Sequence, residues 1–116
     1  MDAKEMVRVA IEAMKDKKAE DIRVIDISKV SVIADYFVIA SGNNVNQVQA
    51  IVDNLQEELY KEGCKIEPKV EGYNSATWVL LDYKDVVFHV FSADDRRFYD
   101  LERIWRDGVE LDIDNI

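Results

Sequence analysis

The chain has 116 residues, 48% of them hydrophobic and 34% charged, with 24 acidic against 15 basic side chains and a net charge of −9. That length carries one core, so residues 1–116 are expected to form a single domain, and the composition excludes a disordered chain. The acidic balance argues against strong nucleic-acid binding of its own, since phosphates need a cationic footprint; a basic protein surface is the better-matched macromolecular partner.

From the N-terminus, Asp2 is placed to cap a helix running to about Lys17, with Met6, Ala10, Ile11 and Met14 on one side. DIRVIDIS reads as a strand, a turn follows near Ser28-Lys29, and the apolar run Tyr36 to Ala40 reads as a central strand buried on both faces. Gly42-Asn43-Asn44 ends that strand with an asparagine cap for a second helix, whose Val48, Ile51, Val52, Leu55 and Leu59 recur at three and four residue steps, and Gly63 stands where a glycine cap belongs. An edge strand is expected around Cys64 to Val70, weakened by Pro68. Two strong strands come next, within the stretch 71–92, and then a last helix capped by Ser92. Asp94 and Asp95 would lie in its first turn, and Phe98, Leu101, Ile104 and Trp105 on its inner side. The acidic tail 108–116 is expected to fray. The fold class is therefore α/β, a mixed β-sheet with helices packed on it.

No apolar run is long enough to span a bilayer, and no membrane partner is expected. The first residues lack a signal or transit layout, so a cytoplasmic location, in a bacterium, is expected. One cysteine, Cys64, and one histidine, His89, rule out an internal disulfide and a structural zinc site; no metal or cofactor is expected.

Attention falls on EGYNSATWVLLDYKDVVFHVFS, residues 71–92. A tight turn at 82–85 would pair Leu81 with Val86, Val79 with Phe88 and Trp78 with His89. Alternation then puts Val79, Leu81, Val86, Phe88 and Val90 on one face, and Trp78, Leu80, Val87, His89 and Phe91 on the other, with Asp82 at its end. The second face reads either as packing, with His89 a satisfied buried histidine, or as a binding surface anchored by Trp78. Catalysis finds little support. Ser75 or Ser92 with His89 and Asp82 lacks a nucleophile-elbow pattern. Asp82 and Asp85 are explained by the turn they flank. The strand-Ser41-Gly42-helix junction suits a nucleotidyltransferase-like phosphate site, the alternative reading, but no D-x-D or D-x-E follows it on a strand.

DYFVIASGN, EGYNSATWVLLDYKDVVFHVF and RRFYDLERIW together resemble the ribosomal silencing factor (Iojap-like) family, in order and over essentially the whole chain. One departure is Lys84, where many members carry glycine in the hairpin. The resemblance implies a nucleotidyltransferase-like α/β sandwich and a translation repressor that is not an enzyme. It also implies a mechanism: binding to the large ribosomal subunit through ribosomal protein uL-fourteen, which blocks joining of the small subunit under nutrient limitation. Carried onto matching positions, it implies a partner-binding surface of Glu71, Ser75, Trp78, Leu80 and Asp82, with His89 supporting Trp78. Arg96 and Arg97 read either as reaching ribosomal protein or RNA or as a solvated helix face. An open tryptophan-bearing face also leads to the expectation of a homodimer when the protein is free.

Overall fold

The computed structural model describes residues 1–93 and 107–116. The last predicted helix, with Arg96 and Arg97, falls on residues 94–106 and lies outside the described residues. Helix α1 spans Ala3–Asp16, and the Asp2 carboxylate accepts from the Glu5 amide at 2.8 Å as its cap. The predicted apolar side is buried, and Val7 and Ala13 widen it. Helix α2 spans Val45–Lys61; Asn44 Oδ1 accepts from the Gln47 amide at 2.8 Å. It ends as expected. Gly63, at φ 100°, donates to the Tyr60 carbonyl, and Cys64 donates to Leu59, so the last carbonyls are satisfied by one left-handed residue. Asn54 Nδ2 donates to the Ala13 carbonyl at 2.8 Å and ties the two helices side by side.

Six strands form one sheet: β1 (Glu20–Asp26), β2 (Tyr36–Gly42), β3 (Lys69–Glu71), β4 (Trp78–Asp82), β5 (Val86–Ser92) and β6 (Val109–Leu111). Their order is β3-β4-β5-β2-β1-β6; β2 and β5 run parallel, and every other neighbouring pair is antiparallel. The run that begins at Tyr36 is central, as its unbroken apolar character requires. Both α1 and α2 pack on one face, over Val24, Val38, Val79, Leu81, Val86, Phe88 and Val90. The opposite face gathers Ile25, Ile27, Ala34, Phe37, Ile39, Val87 and Phe91, with Trp78 and Leu80 packed against them.

Three expectations are corrected. The β4–β5 register lies two residues from the predicted one: Trp78 faces Phe91, Leu80 faces His89, and Leu81 faces Phe88. The cause is Tyr83, which is buried edge-on against Phe88 and donates its amide to the Val86 carbonyl at 3.0 Å. The loop shrinks to Lys84-Asp85. A two-residue shift matches the strand period, so the predicted division into faces survives. The second correction concerns the edge strand, which forms only at Lys69–Glu71, after Pro68 rather than across it. The third concerns the acidic tail, whose residues 109–111 add a sixth strand. Val24 pairs with Leu111, Arg23 Nη1 meets Glu110 Oε1 at 3.2 Å, and Leu111, Ile113 and Ile116 pack against the core. Apolar alternation there outweighs the repulsion of a few exposed carboxylates, which water and salt screen.

Lys84 carries φ 75° and is bridged by a bond from the Asp85 amide to the Tyr83 carbonyl. A side chain in that region costs about 1 kcal/mol that glycine avoids, offset by glycine's larger unfolded entropy. Lys84→Gly is therefore expected to stabilise the domain by roughly 0.5 kcal/mol. A denaturation midpoint below that of wild type would count against the assigned turn.

Candidate functional site

The site is built around the loop that feeds β4. Gly72 sits at φ 83°, and a Cβ there would lie 2.2 Å from the Trp78 carbonyl oxygen, so only glycine lets the loop pass this close to the strand it precedes. Its own carbonyl accepts from the Ala76 amide at 2.9 Å and from Ser75 Oγ at 3.3 Å. Ala76 is fully buried at φ 53°, a conformation a bulkier side chain would fill badly. The loop is also pinned to α2. Gln49 Nε2 donates to the Tyr73 carbonyl at 3.0 Å, and the Tyr73 hydroxyl donates to Asp53 Oδ2 at 3.0 Å. The Ser92 amide closes the loop's end on the Thr77 carbonyl at 3.1 Å. The spacing E-G-x-x-S-A-x-W thus encodes a folded loop; the role of Gly72 is visible only once β4 lies against it, and those of Tyr73, Gln49 and Asp53 only once α2 lies beside it.

From this loop the chain enters β4, where alternation aims Trp78, Leu80 and Asp82 at the face opposite the helices. Glu71 on the edge strand pairs directly with Leu80, and Lys69 with Asp82. Burial falls steadily toward this edge. Val87, His89 and Phe91 are buried, Trp78, Leu80 and Asp82 are half-buried, and Glu71 and Ser75 are exposed. Four of the predicted residues, Glu71, Trp78, Leu80 and Asp82, therefore lie together on the same side of two adjacent strands, with Ser75 on the loop before them. One Asp82 oxygen is engaged by the Lys84 amide at 2.8 Å, which fixes the carboxylate at the end of the strip.

His89 differs from the other five. It is 3% exposed, too deep for a direct partner contact, and its place is behind Trp78. The indole Nε1–H donates to His89 Nδ1 at 3.2 Å, and the Trp78 ring stacks on Phe91 with centroids 5.2 Å apart. Because Nδ1 accepts, the neutral ring carries its proton on Nε2. That nitrogen is buried without a hydrogen-bond partner. Burial alone holds the imidazole neutral by pushing its pKa down to about 4. The single histidine is thus a neutral prop that sets the rotation of the indole.

The same geometry removes the catalytic alternatives. With Nδ1 occupied by Trp78 and the ring sealed, His89 is not poised as a base for Ser75 or Ser92. At the strand-helix junction, Ser41 is buried and Gly42 is packed so closely that an added Cβ would meet Val48 at 3.1 Å. The Asn43 amide is taken by Gln47 Oε1 at 2.6 Å, and the Gln47 amide by Asn44. The junction is closed by its own side chains. Among the described residues no three acidic, histidine or cysteine side chains are grouped to hold a metal ion.

The family described as ribosomal silencing factor during starvation matches residues 1–116. A ribosomal silencing factor of Bacillus subtilis is 42% identical over 114 residues, covering 98% of this chain and 96% of its own. Its counterpart in Halalkalibacterium halodurans is 40% identical, covering 100% and 98%. A crystal structure of a protein from Chromobacterium violaceum superposes with a TM-score of 0.86 at 36% identity, over 91% of this chain and 88% of that one.

Proposed function

Because the chain belongs to the ribosomal silencing factors, a translation-regulating family and not an enzyme family, we propose that it binds the large ribosomal subunit through uL-fourteen and blocks joining of the small subunit. Repression would follow from steric occlusion, set by affinity alone, in a bacterial cytoplasm under nutrient limitation. The observation that carries this reading is the half-buried strip of Trp78 and Leu80, bounded by Glu71 and Asp82 at a sheet edge. Two apolar anchors between carboxylates suit a basic protein surface. Ser75, exposed on the loop, lies at the margin. Free of the ribosome, the same strip would pair two copies, and sedimentation finding only monomer at micromolar concentration would remove that part.

The test mixes purified protein with isolated large subunits, adds small subunits, and follows the particles on a sucrose gradient. Wild type is expected to travel with the large subunit and prevent joining. Trp78→Ala should weaken binding by about 2 kcal/mol, as for an interface anchor. Glu71→Lys, on the fully exposed edge strand, should weaken it too without touching the core. If both variants remain folded and bind like wild type, the strip is not the docking site.

A further inference from the structure

Between β1 and β2 the chain makes a loop, residues 27–35, that carries the least explained apolar surface in the described residues. Val32 is 104% exposed, Ile33 79% and Val30 56%. Single exposed aliphatic side chains are ordinary, but three within four residues, at the tip of one loop, form a feature that folding does not use.

The loop is an ordered structure. Its base is closed by the Ile27 amide donating to the Asp35 carbonyl at 2.8 Å. Inside it, the amides of Val30 and Ser31 both donate to the Ile27 carbonyl. Asp26 Oδ1 accepts from the Ser28 hydroxyl at 2.6 Å and from the Ser28 amide at 2.9 Å, and Ser31 Oγ accepts from the Ile33 amide at 3.1 Å. The valine and isoleucine are therefore held out in water on a scaffold formed in advance, which lowers the ordering cost of any contact they make.

Position and charge indicate what they contact. Ile27 and Ala34, the inward-facing residues of the loop, belong to the same buried cluster against which Trp78 and Leu80 pack, so the loop stands on the face of the sheet that bears the strip. Its return into β2 is joined to the β4–β5 hairpin. The amides of Asp35 and Tyr36 both donate to the Asp85 carbonyl, at 2.7 and 3.1 Å. The exposed Asp35 and Asp85 stand at this junction, with Asp82 at the hairpin's start, and give it an acidic border of three carboxylates against Lys84 and Lys29. Phosphates of RNA and anionic lipid headgroups are repelled by such a border, whereas a basic protein surface with an apolar depression is attracted.

The geometry points to Val32 and Ile33 as a second apolar anchor of the docking surface, seated in the same basic ribosomal protein surface that takes Trp78 and Leu80. This inference rests on the docking reading above and extends it across the hairpin to the far side of the sheet face.

The experiment measures binding of isolated large subunits to wild type, to Trp78→Ala and to a Val32→Ser, Ile33→Ser double variant, each first shown to melt cooperatively. Both substituted side chains are exposed, so the double variant should melt close to wild type. It is expected to bind about tenfold more weakly or worse. A companion variant, Asp35→Asn with Asp85→Asn, should bind more weakly and with less dependence on salt. If the double variant binds like wild type while Trp78→Ala has lost affinity, the second anchor is refuted and the strip stands alone. If wild type itself does not bind, the docking reading fails and the anchor falls with it. Should the double variant keep ribosome binding but turn a dimeric free protein monomeric, the loop's partner is a second copy of the chain, and the inference is overturned.

Discussion

Gly72→Ala is expected to destabilise the domain by about 3 kcal/mol or more, a large share of the stability of a domain this size. Two costs combine. The residue sits at φ 83°, where a side chain costs about 1–2 kcal/mol. In addition, a Cβ would stand 2.2 Å from the Trp78 carbonyl oxygen, a backbone atom that cannot swing aside as a side-chain tip would. Relief requires the loop to lift from β4, which would strain the bonds it makes through Ala76 and Tyr73. The measurement is urea unfolding of wild type and variant. A loss under 1 kcal/mol, with large-subunit binding retained, would mean that the loop relaxes freely and that its close approach is not required.

Acid is expected to weaken the fold through His89. The imidazole is neutral in the folded state down to about pH 4 but titrates near its ordinary 6.5 once the chain unfolds. Above pH 6.5 neither state carries the proton, and the full stability is present. Between 6.5 and about 4 only the unfolded chain takes it up, so stability falls as the pH falls, by about 3 kcal/mol across the window. Below that, protonation of the folded state would replace the Nδ1 lone pair with a second N–H and break the bond from the Trp78 indole. His89→Gln removes the titration while its amide oxygen can still accept from the indole. The stability of wild type relative to the variant should therefore fall by about 3 kcal/mol as the pH drops from 6.5 to about 4, with the two curves differing in slope only across that range. Parallel curves across that range would show that carboxylates elsewhere, not this histidine, govern the acid response. Indole fluorescence, read alongside, would report the loss of the His89 partner directly.

The two predictions bear on the proposed site from opposite sides. Gly72 places the strand that carries Trp78, and His89 sets the ring's orientation. Neither needs to touch a partner for its loss to be felt there.

How much of this is legible in the residues depends on whether the deciding interaction is local. Both described helices are readable because their signals lie within a turn of where they act: Asp2 and the Asn43-Asn44 pair as caps, Gly63 as terminator, and apolar side chains at three and four residue steps. The central strand was readable from its unbroken apolar run, and the partition of β4 and β5 into two faces from alternation alone. Alternation alone puts Trp78, Leu80 and Asp82 on one face, whereas Glu71 and Ser75 join the candidate strip only through the family resemblance. Other features waited on elements distant in the chain. The register was set by the burial of Tyr83 against Phe88, and the acidic tail became a strand because β1 offered it an open edge. The supporting role of His89 behind Trp78 is part of what the resemblance implies, but the depth of its burial follows from β2 lying beside it, with Phe37 at 5.3 Å. The run Val30 to Ile33 looks in sequence like any apolar segment, and only its position in a closed loop leaves it in water. Sequence by itself determined the elements and which residues share a face, since both follow from backbone periodicity. Tertiary structure decided which members of a face meet solvent, because burial is set by segments that sequence distance does not reveal.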